Sequence, residues 1–120
     1  PHMGCVLDSH AAKAFRDIDE LTGLARYRNV VVNVSSAPCF SKEPYPFRDV
    51  EPYLRRIYDA YGPQRMLWGA DLSRLTSTYR ECLEQFSRGL DFLSASDKEW
   101  ILGKTLAAVL NWPEPQSTSR

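Results

Sequence analysis

Asp71 is the residue whose type and position most invite chemistry. In "RMLWGADLSR" (65–74) an apolar, aromatic-bearing run passes into Gly-Ala, and a carboxylate follows where the chain turns toward a helix. A carboxylate so placed can cap the next helix by accepting its backbone N–H groups. It can also serve catalysis, by taking a proton from water or by holding a divalent metal. The imidazoles are His2 and His10. His10 ends "VLDSH", so it is either a polar group at a strand-to-helix turn or one that orients substrate or water. His2 belongs to "HM", which reads as native sequence or as a cloning remnant. "SRLTSTYR" adds hydroxyls close to Asp71, although hydroxyl-rich helix starts are common. No CxxC pair, GxSxG elbow, His-x-His pair or glycine-rich phosphate loop is present, and this removes zinc-ribbon, thioredoxin, serine-hydrolase and P-loop readings.

The elements that must position these groups follow from periodicity. "AAKAFRDIDELTGLAR" (11–26) repeats apolar residues at three- and four-residue steps through Ala11, Phe15, Ile18, Leu21 and Ala25, which predicts one amphipathic helix. "NVVVNVS" (29–35) is β-branched and nearly continuous, as in a parallel strand covered on both faces. Pro38, Pro44 and Pro46 make 36–47 a loop. Asp49 is placed to cap a helix over 50–61 that buries Val50, Leu54, Ile57 and Tyr61 and stops at Gly62-Pro63. "RMLW" is a further strand, with Met66 and Trp68 as core residues. Leu75, Tyr79, Cys82, Leu83, Phe86 and Leu90 mark the next helix, and Ser96 with Glu99 has the spacing of a capping box for the last. Lys13, Arg26, Arg28, Arg55 and Arg56 fall on solvent-facing helix sides.

The chain is of ordinary single-domain size, with 120 residues of which 43% are hydrophobic. Fifteen basic residues balance fifteen acidic ones, so neither nucleic acid nor an acidic membrane surface is an expected partner. Apolar runs such as Val30–Val32 fall far short of the roughly 20 residues that span a bilayer. No charged segment followed by an apolar stretch suggests a signal peptide. Cys5, Cys39 and Cys82 are odd in number and widely spaced, consistent with reduced thiols in a cytoplasmic protein.

The expected order is β-α-β-loop-α-β-α-α, an α/β class with parallel strands alternating with helices. Over 1–112 it forms one domain, with 113–120 as a polar tail. The strands are expected near 5–8, 30–34 and 65–69, with four flanking helices.

Four segments carry a family resemblance: "VLDSH", "LARYRNVVVNVSS", "YLRRIYDAYGPQRMLWGADLSR" and "KEWILGKTLAAVLNW". Together they resemble the C-terminal portion of the amidohydrolase-related metal-dependent hydrolases, TIM-barrel enzymes that include lactonases of dicarboxylate rings and decarboxylases of aromatic acids. "GPQRMLWGAD" is the most specific block. The resemblance implies the last three βα units of an eight-unit barrel. It implies that Asp71, at the C-terminal end of the last strand, binds a divalent metal (zinc or manganese) or accepts a proton from the attacking water. It implies that His10 orients substrate or water. "DSH" departs from the more usual adjacent Asp-His, and Asn33 stands where a lysine is common in the family. The His-x-His pair that forms the core of the family's metal site is absent here. A fragment or truncated relative that is inactive alone is one expectation; a non-catalytic, self-associating α/β module is the other. Either way three strands cannot close a barrel, and the exposed edges, with Phe15, Ile18, Tyr58 and Phe86 shaped for missing neighbours, predict a homodimer.

Overall fold

The computed structural model describes residues 1–113. Its sheet is built from the β-branched run and from the apolar stretch before Gly69. β1 (Val32–Asn33) and β2 (Met66–Leu67) pair in parallel, with Val32 opposite Met66 and Asn33 opposite Leu67. The alignment continues beyond these residues. The Val34 N–H donates to the Leu67 carbonyl at 2.7 Å, and the Ser36 N–H to that of Gly69 at 3.2 Å. Val32, Val34 and Met66 are buried under helices, whereas Asn33 and Leu67 on the alternate face are half-buried. This is the period of two expected of a pleated strand.

The expected third strand at 5–8 does not form, and the sheet among the described residues has two strands. The Val6 N–H is taken by the Ala14 carbonyl at 2.9 Å, and the chain reverses at Leu7–Asp8, where Asp8 has φ +57°. Residues His2–Gly4 instead make a 3₁₀ turn that sends Met3 into the core.

The stripe predicted over 11–26 is present, but the helix carrying it is broken. α1 (Ala11–Ala14) and α2 (Ile18–Gly23) are separated by a turn at 15–17, and a 3₁₀ turn follows at Leu24–Arg26. Across the break Phe15 and Ile18 both stay buried, and the Phe15 ring stacks on Tyr53 at 4.4 Å between centroids. α3 (Glu51–Tyr61) buries Leu54, Ile57 and Tyr61 and ends at Gly62, whose φ of +72° suits glycine. Asp49 does not cap it. Its carboxylate accepts from the Ser41 hydroxyl and from the Lys42 N–H, tying down the Pro-rich loop.

α4 (Tyr79–Glu84) starts from a capping box of Thr78 and Glu81 and widens into a π-helical turn at Gln85–Gly89. The last capping box uses Ser94 and Asp97, two residues before the pair predicted from spacing; Asp97 also accepts from the Tyr58 hydroxyl at 3.0 Å. From it α5 (Ala95–Glu99) runs through a second π-helical stretch (Trp100–Lys104) into α6 (Thr105–Val109). This rod stands where another strand would meet the far edge of β2. The Trp68 N–H donates to the Ile101 carbonyl at 3.0 Å, and the Thr105 hydroxyl to the Pro63 carbonyl at 2.8 Å.

Phe15, Ile18 and Phe86, expected to await neighbours, are buried within this chain, and Tyr58 is half-buried. Exposed apolar groups are scattered at Leu7, Leu24, Tyr27, Leu72 and Tyr79, and four more, Leu106, Val109, Leu110 and Trp112, gather on the last helix and just beyond it. Trp68 is half-buried rather than fully in the core, whereas the five basic residues Lys13, Arg26, Arg28, Arg55 and Arg56 are exposed as predicted. Among the described residues no helix is long and apolar enough to cross a membrane. Most of the predicted polar tail, residues 114–120, lies outside the described residues.

Gln85 is fully buried, and neither of its amide atoms has a hydrogen-bond partner among the described residues. Such a group costs about 1–3 kcal/mol. Gln85→Met keeps the length and removes the unmet polarity. We expect it to raise unfolding stability by about 1–2 kcal/mol in urea titration; a loss of stability would show that the amide is satisfied in solution.

Candidate functional site

The parallel pairing brings the C-terminal ends of both strands to the same side. Past β1 the chain reads Ser35-Ser36, and past β2 it reads Gly69-Ala70-Asp71. A Cβ on Gly69 would lie 3.4 Å from the Ser35 Cβ and 3.8 Å from the Asn33 Oδ1, in ordinary contact with the end of β1. Ser36 (φ +58°) and Asp71 (φ +50°) both take the left-handed conformation as they leave the strands. Aspartate tolerates that region better than most residues.

Asp71 is not a helix cap. The helix after it begins at Tyr79 and is capped by Thr78, and between Asp71 and that cap lies a turn in which the Arg74 N–H donates to the Asp71 carbonyl at 3.0 Å. The carboxylate is held on both oxygens by hydroxyls. Ser73 donates to Oδ1 and Ser36 to Oδ2, each at 3.0 Å.

The imidazole that reaches this carboxylate is that of His2, with Nε2 at 3.6 Å from Asp71 Oδ2. Its Nδ1 lies 2.7 Å from the Ser35 hydroxyl. When Nδ1 carries the hydrogen and donates to Ser35, the Nε2 lone pair faces Asp71. When Ser35 donates, Nε2 carries the hydrogen toward the carboxylate. Both side chains are partly exposed, His2 at 28% and Asp71 at 23%, so the pair is open to a small molecule.

His10 is placed elsewhere. It is exposed at the start of α1, where its carbonyl accepts from the Ala14 N–H at 3.3 Å, and it is not among the partners of Asp71. Its side chain lines a shallow crevice beside Ser73 and Arg74. The sequence pattern misses His2, Ser35 and Ser36. The hydroxyl pair directly after a β-branched run was the available signal, because residues at strand ends are those that converge. His2 gives no periodic signal, since consecutive left-handed residues at His2 and Met3 bring it in.

The Asn33 Oδ1, close to Gly69, is buried without a hydrogen-bond partner among the described residues. Two thiols are dulled by burial, which pushes Cys5 up to about 12 and Cys82 up to about 11. Neither is a nucleophile at neutral pH.

Comparison with known proteins gives consistent results. The profile of the amidohydrolase family matches residues 2–112. The chain is similar to an amidohydrolase from Burkholderia multivorans solved with bound HEPES, at 26% identity and a TM-score of 0.70, over 82% of this chain and 37% of that one. It is likewise similar to the same amidohydrolase solved with bound zinc, at 26% identity and a TM-score of 0.71, over 85% of this chain and 39% of that one. It therefore spans less than two fifths of the length of those solved chains. No curated protein matches it.

The left-handed backbone and the two serine hydrogen bonds make a specific prediction for Asp71. Asparagine tolerates the same φ and still accepts hydrogen bonds, so Asp71→Asn should cost at most about 1 kcal/mol. Asp71→Val puts a β-branched side chain there and removes both bonds, and should cost about 2–3 kcal/mol. Urea unfolding of the two variants checks this; equal losses would mean that the backbone relaxes.

Proposed function

Because this chain belongs to the amidohydrolase family, we propose that it supplies one side of a hydrolytic centre. It is a fragment or truncated relative of a metal-dependent hydrolase that turns over lactones or amides, or decarboxylates aromatic acids, and it is inactive alone. In this reading it corresponds to the last three βα units of an eight-unit barrel. The observation that carries the proposal is Asp71 itself: a carboxylate at the end of β2, held by Ser36 and Ser73, with the His2 Nε2 at 3.6 Å.

Hydrolysis needs a water molecule stripped of a proton beside a carbonyl carbon. Each oxygen of Asp71 accepts one serine hydrogen bond and keeps a lone pair for water. The His2 Nε2 lies just beyond hydrogen-bond length of Oδ2, so a water beside the pair, rather than between them, can contact both groups. Asp71 is then the proton acceptor, and His2, oriented by Ser35, positions the water. His10 is assigned a role at the rim, orienting substrate from the crevice side.

The zinc-bound neighbour supports a divalent metal in the family, and zinc or manganese is the ion we propose. His2 and Asp71 are donors of a suitable kind, but they are only two. Among the described residues no group of three His, Cys, Asp or Glu side chains could hold a metal ion. A hydrolytic metal needs about three protein ligands and an open position, so these residues do not fit a metal by themselves. We assign the missing ligands to the rest of the barrel, and the three free thiols support a reducing, cytoplasmic setting.

The isolated chain should show no lactone or amide hydrolysis and no decarboxylation above the uncatalysed rate, with zinc or manganese supplied. Robust turnover abolished by Asp71→Asn would show that the chain is an enzyme by itself.

Self-association is the other part of the proposal. Leu106, Val109, Leu110 and Trp112 are exposed on and just after one helix, and a two-fold dimer is the simplest way to cover them. Sedimentation at micromolar concentration should give a concentration-dependent dimer that Val109→Lys weakens. A 13.7 kDa species at every concentration would contradict it.

A further inference from the structure

The parallel pairing that gathers Ser36 and Asp71 past the strands also gathers the residues ahead of them. Arg28 precedes β1 and Arg65 precedes β2, so both fall at the N-terminal end of the sheet, away from Asp71. A crevice of about 460 Å³ opens there. Arg28, Arg65 and Gln64 bring polar groups to it, and Tyr61, Gly62 and Pro63 complete its walls. Among the described residues no acidic side chain lines it.

These two arginines lack a counter-ion. Arg16, Arg48, Arg55, Arg56, Arg74 and Arg88 each form an ion pair, whereas Arg28 and Arg65 form none among the described residues. Carbonyls fix Arg65 instead. Its Nε donates to that of Tyr61 at 3.2 Å, and its Nη1 to those of Ala25 at 2.8 Å and Tyr27 at 3.1 Å. The guanidinium also lies over the Tyr61 ring, 5.1 Å from its centroid. These contacts close the end of α3 and hold the side chain in place, but carbonyls carry no net charge to cancel its own. Nη2 has only a 3.5 Å approach to the Ala60 carbonyl, and it keeps an N–H for a ligand. Arg28 is exposed and makes no hydrogen bond among the described residues, so its guanidinium is free to meet the same ligand. Two uncompensated charges at one crevice attract anions to it.

We infer that this crevice is a phosphate site, filled by the free ion or by a phosphate monoester. Such a group carries close to two negative charges at neutral pH and has three strong acceptor oxygens. One oxygen accepts from the Arg65 Nη2 and another from the Arg28 guanidinium, so both cations are balanced by one ligand. A carboxylate fits less well, because it brings one charge and pairs best with a whole guanidinium edge. Both such edges of Arg65 are taken, one at Nε by Tyr61 and the other at Nη1 by Ala25 and Tyr27. The bound phosphate is separate from the molecule being hydrolysed, since it sits at the opposite end of β2 from Asp71. The inference therefore does not depend on the reading of Asp71.

Inorganic phosphate is the first probe, titrated into the ¹⁵N-labelled chain at constant ionic strength and at about pH 7.5, above its second ionisation. The readouts are the Arg65 Nε–Hε resonance and the Gln64 and Arg65 amides. We expect a saturable shift centred on these signals. Methyl phosphate distinguishes the source: equal or tighter binding assigns the site to a monoester, and weaker binding assigns it to the free ion. Dimethyl phosphate, with a single charge, should bind about tenfold more weakly than inorganic phosphate. Arg28→Gln alters an exposed side chain without partners, so the fold is kept, and it should weaken binding about tenfold, the loss of one charge-assisted pair. Arg80→Gln, at another exposed arginine, should leave the affinity unchanged. Absence of saturation, shifts centred away from Arg65, unchanged affinity in Arg28→Gln, an equal loss in Arg80→Gln or equal binding of dimethyl phosphate would overturn the assignment.

Discussion

Two backbone hydrogen bonds, from Val34 to Leu67 and from Ser36 to Gly69, fix the register on which the site depends. They place the residues that end β1 beside those that end β2, so Ser36 comes within reach of Asp71 although 35 positions separate them. A slip of one residue would turn Val32, Val34 and Met66 away from the helices and undo the core with the site. The left-handed turns at Ser36 and Asp71 then direct both chains away from the sheet and leave the carboxylate facing a hydroxyl rather than a helix end.

So small a sheet has two exposed edges, and each is met differently. At β2, the rod of α5 and α6 lends the Ile101 carbonyl to the Trp68 N–H. That carbonyl lies in the π-helical stretch, where the wider turn changes which groups remain for outside partners. Beside β1 lies the 3₁₀ turn at His2–Gly4, which buries Met3 and delivers His2 to Ser35 and Asp71. Core closure and site assembly are therefore the same event at this end of the molecule. This also explains how an imidazole near the first residue becomes part of a strand-end cluster.

Much of the architecture was legible from periodicity. The β-branched run before Ser35, the stripe of α3 and the Gly62-Pro63 stop are local signals that tertiary contacts reinforce, and parallel pairing follows from their alternation. The family resemblance drawn from "GPQRMLWGAD" and its companion segments agrees with the match over 2–112. What could not be read depends on contacts distant in sequence or on single backbone angles. A short apolar run at 5–8 gives no sign that Ala14 will take the Val6 N–H. Two serine-acid pairs fit the last capping box equally well, and only the Tyr58 hydroxyl distinguishes Asp97. His10 looked the better candidate because it follows a strand-like run, whereas His2 is brought in by a turn that no residue pattern announces.

We propose that Asp71 accepts the proton of water, with His2 beside it, in a hydrolytic centre whose metal ligands come largely from the rest of the barrel. Titration of the ¹⁵N-labelled chain with Mn²⁺ tests it most directly, because paramagnetic broadening reports where a weakly held ion resides. Weak broadening centred on His2, Ser36 and Asp71 and reaching Ser73, lost in Asp71→Asn, is expected. Broadening centred elsewhere, or unchanged in that variant, would contradict it.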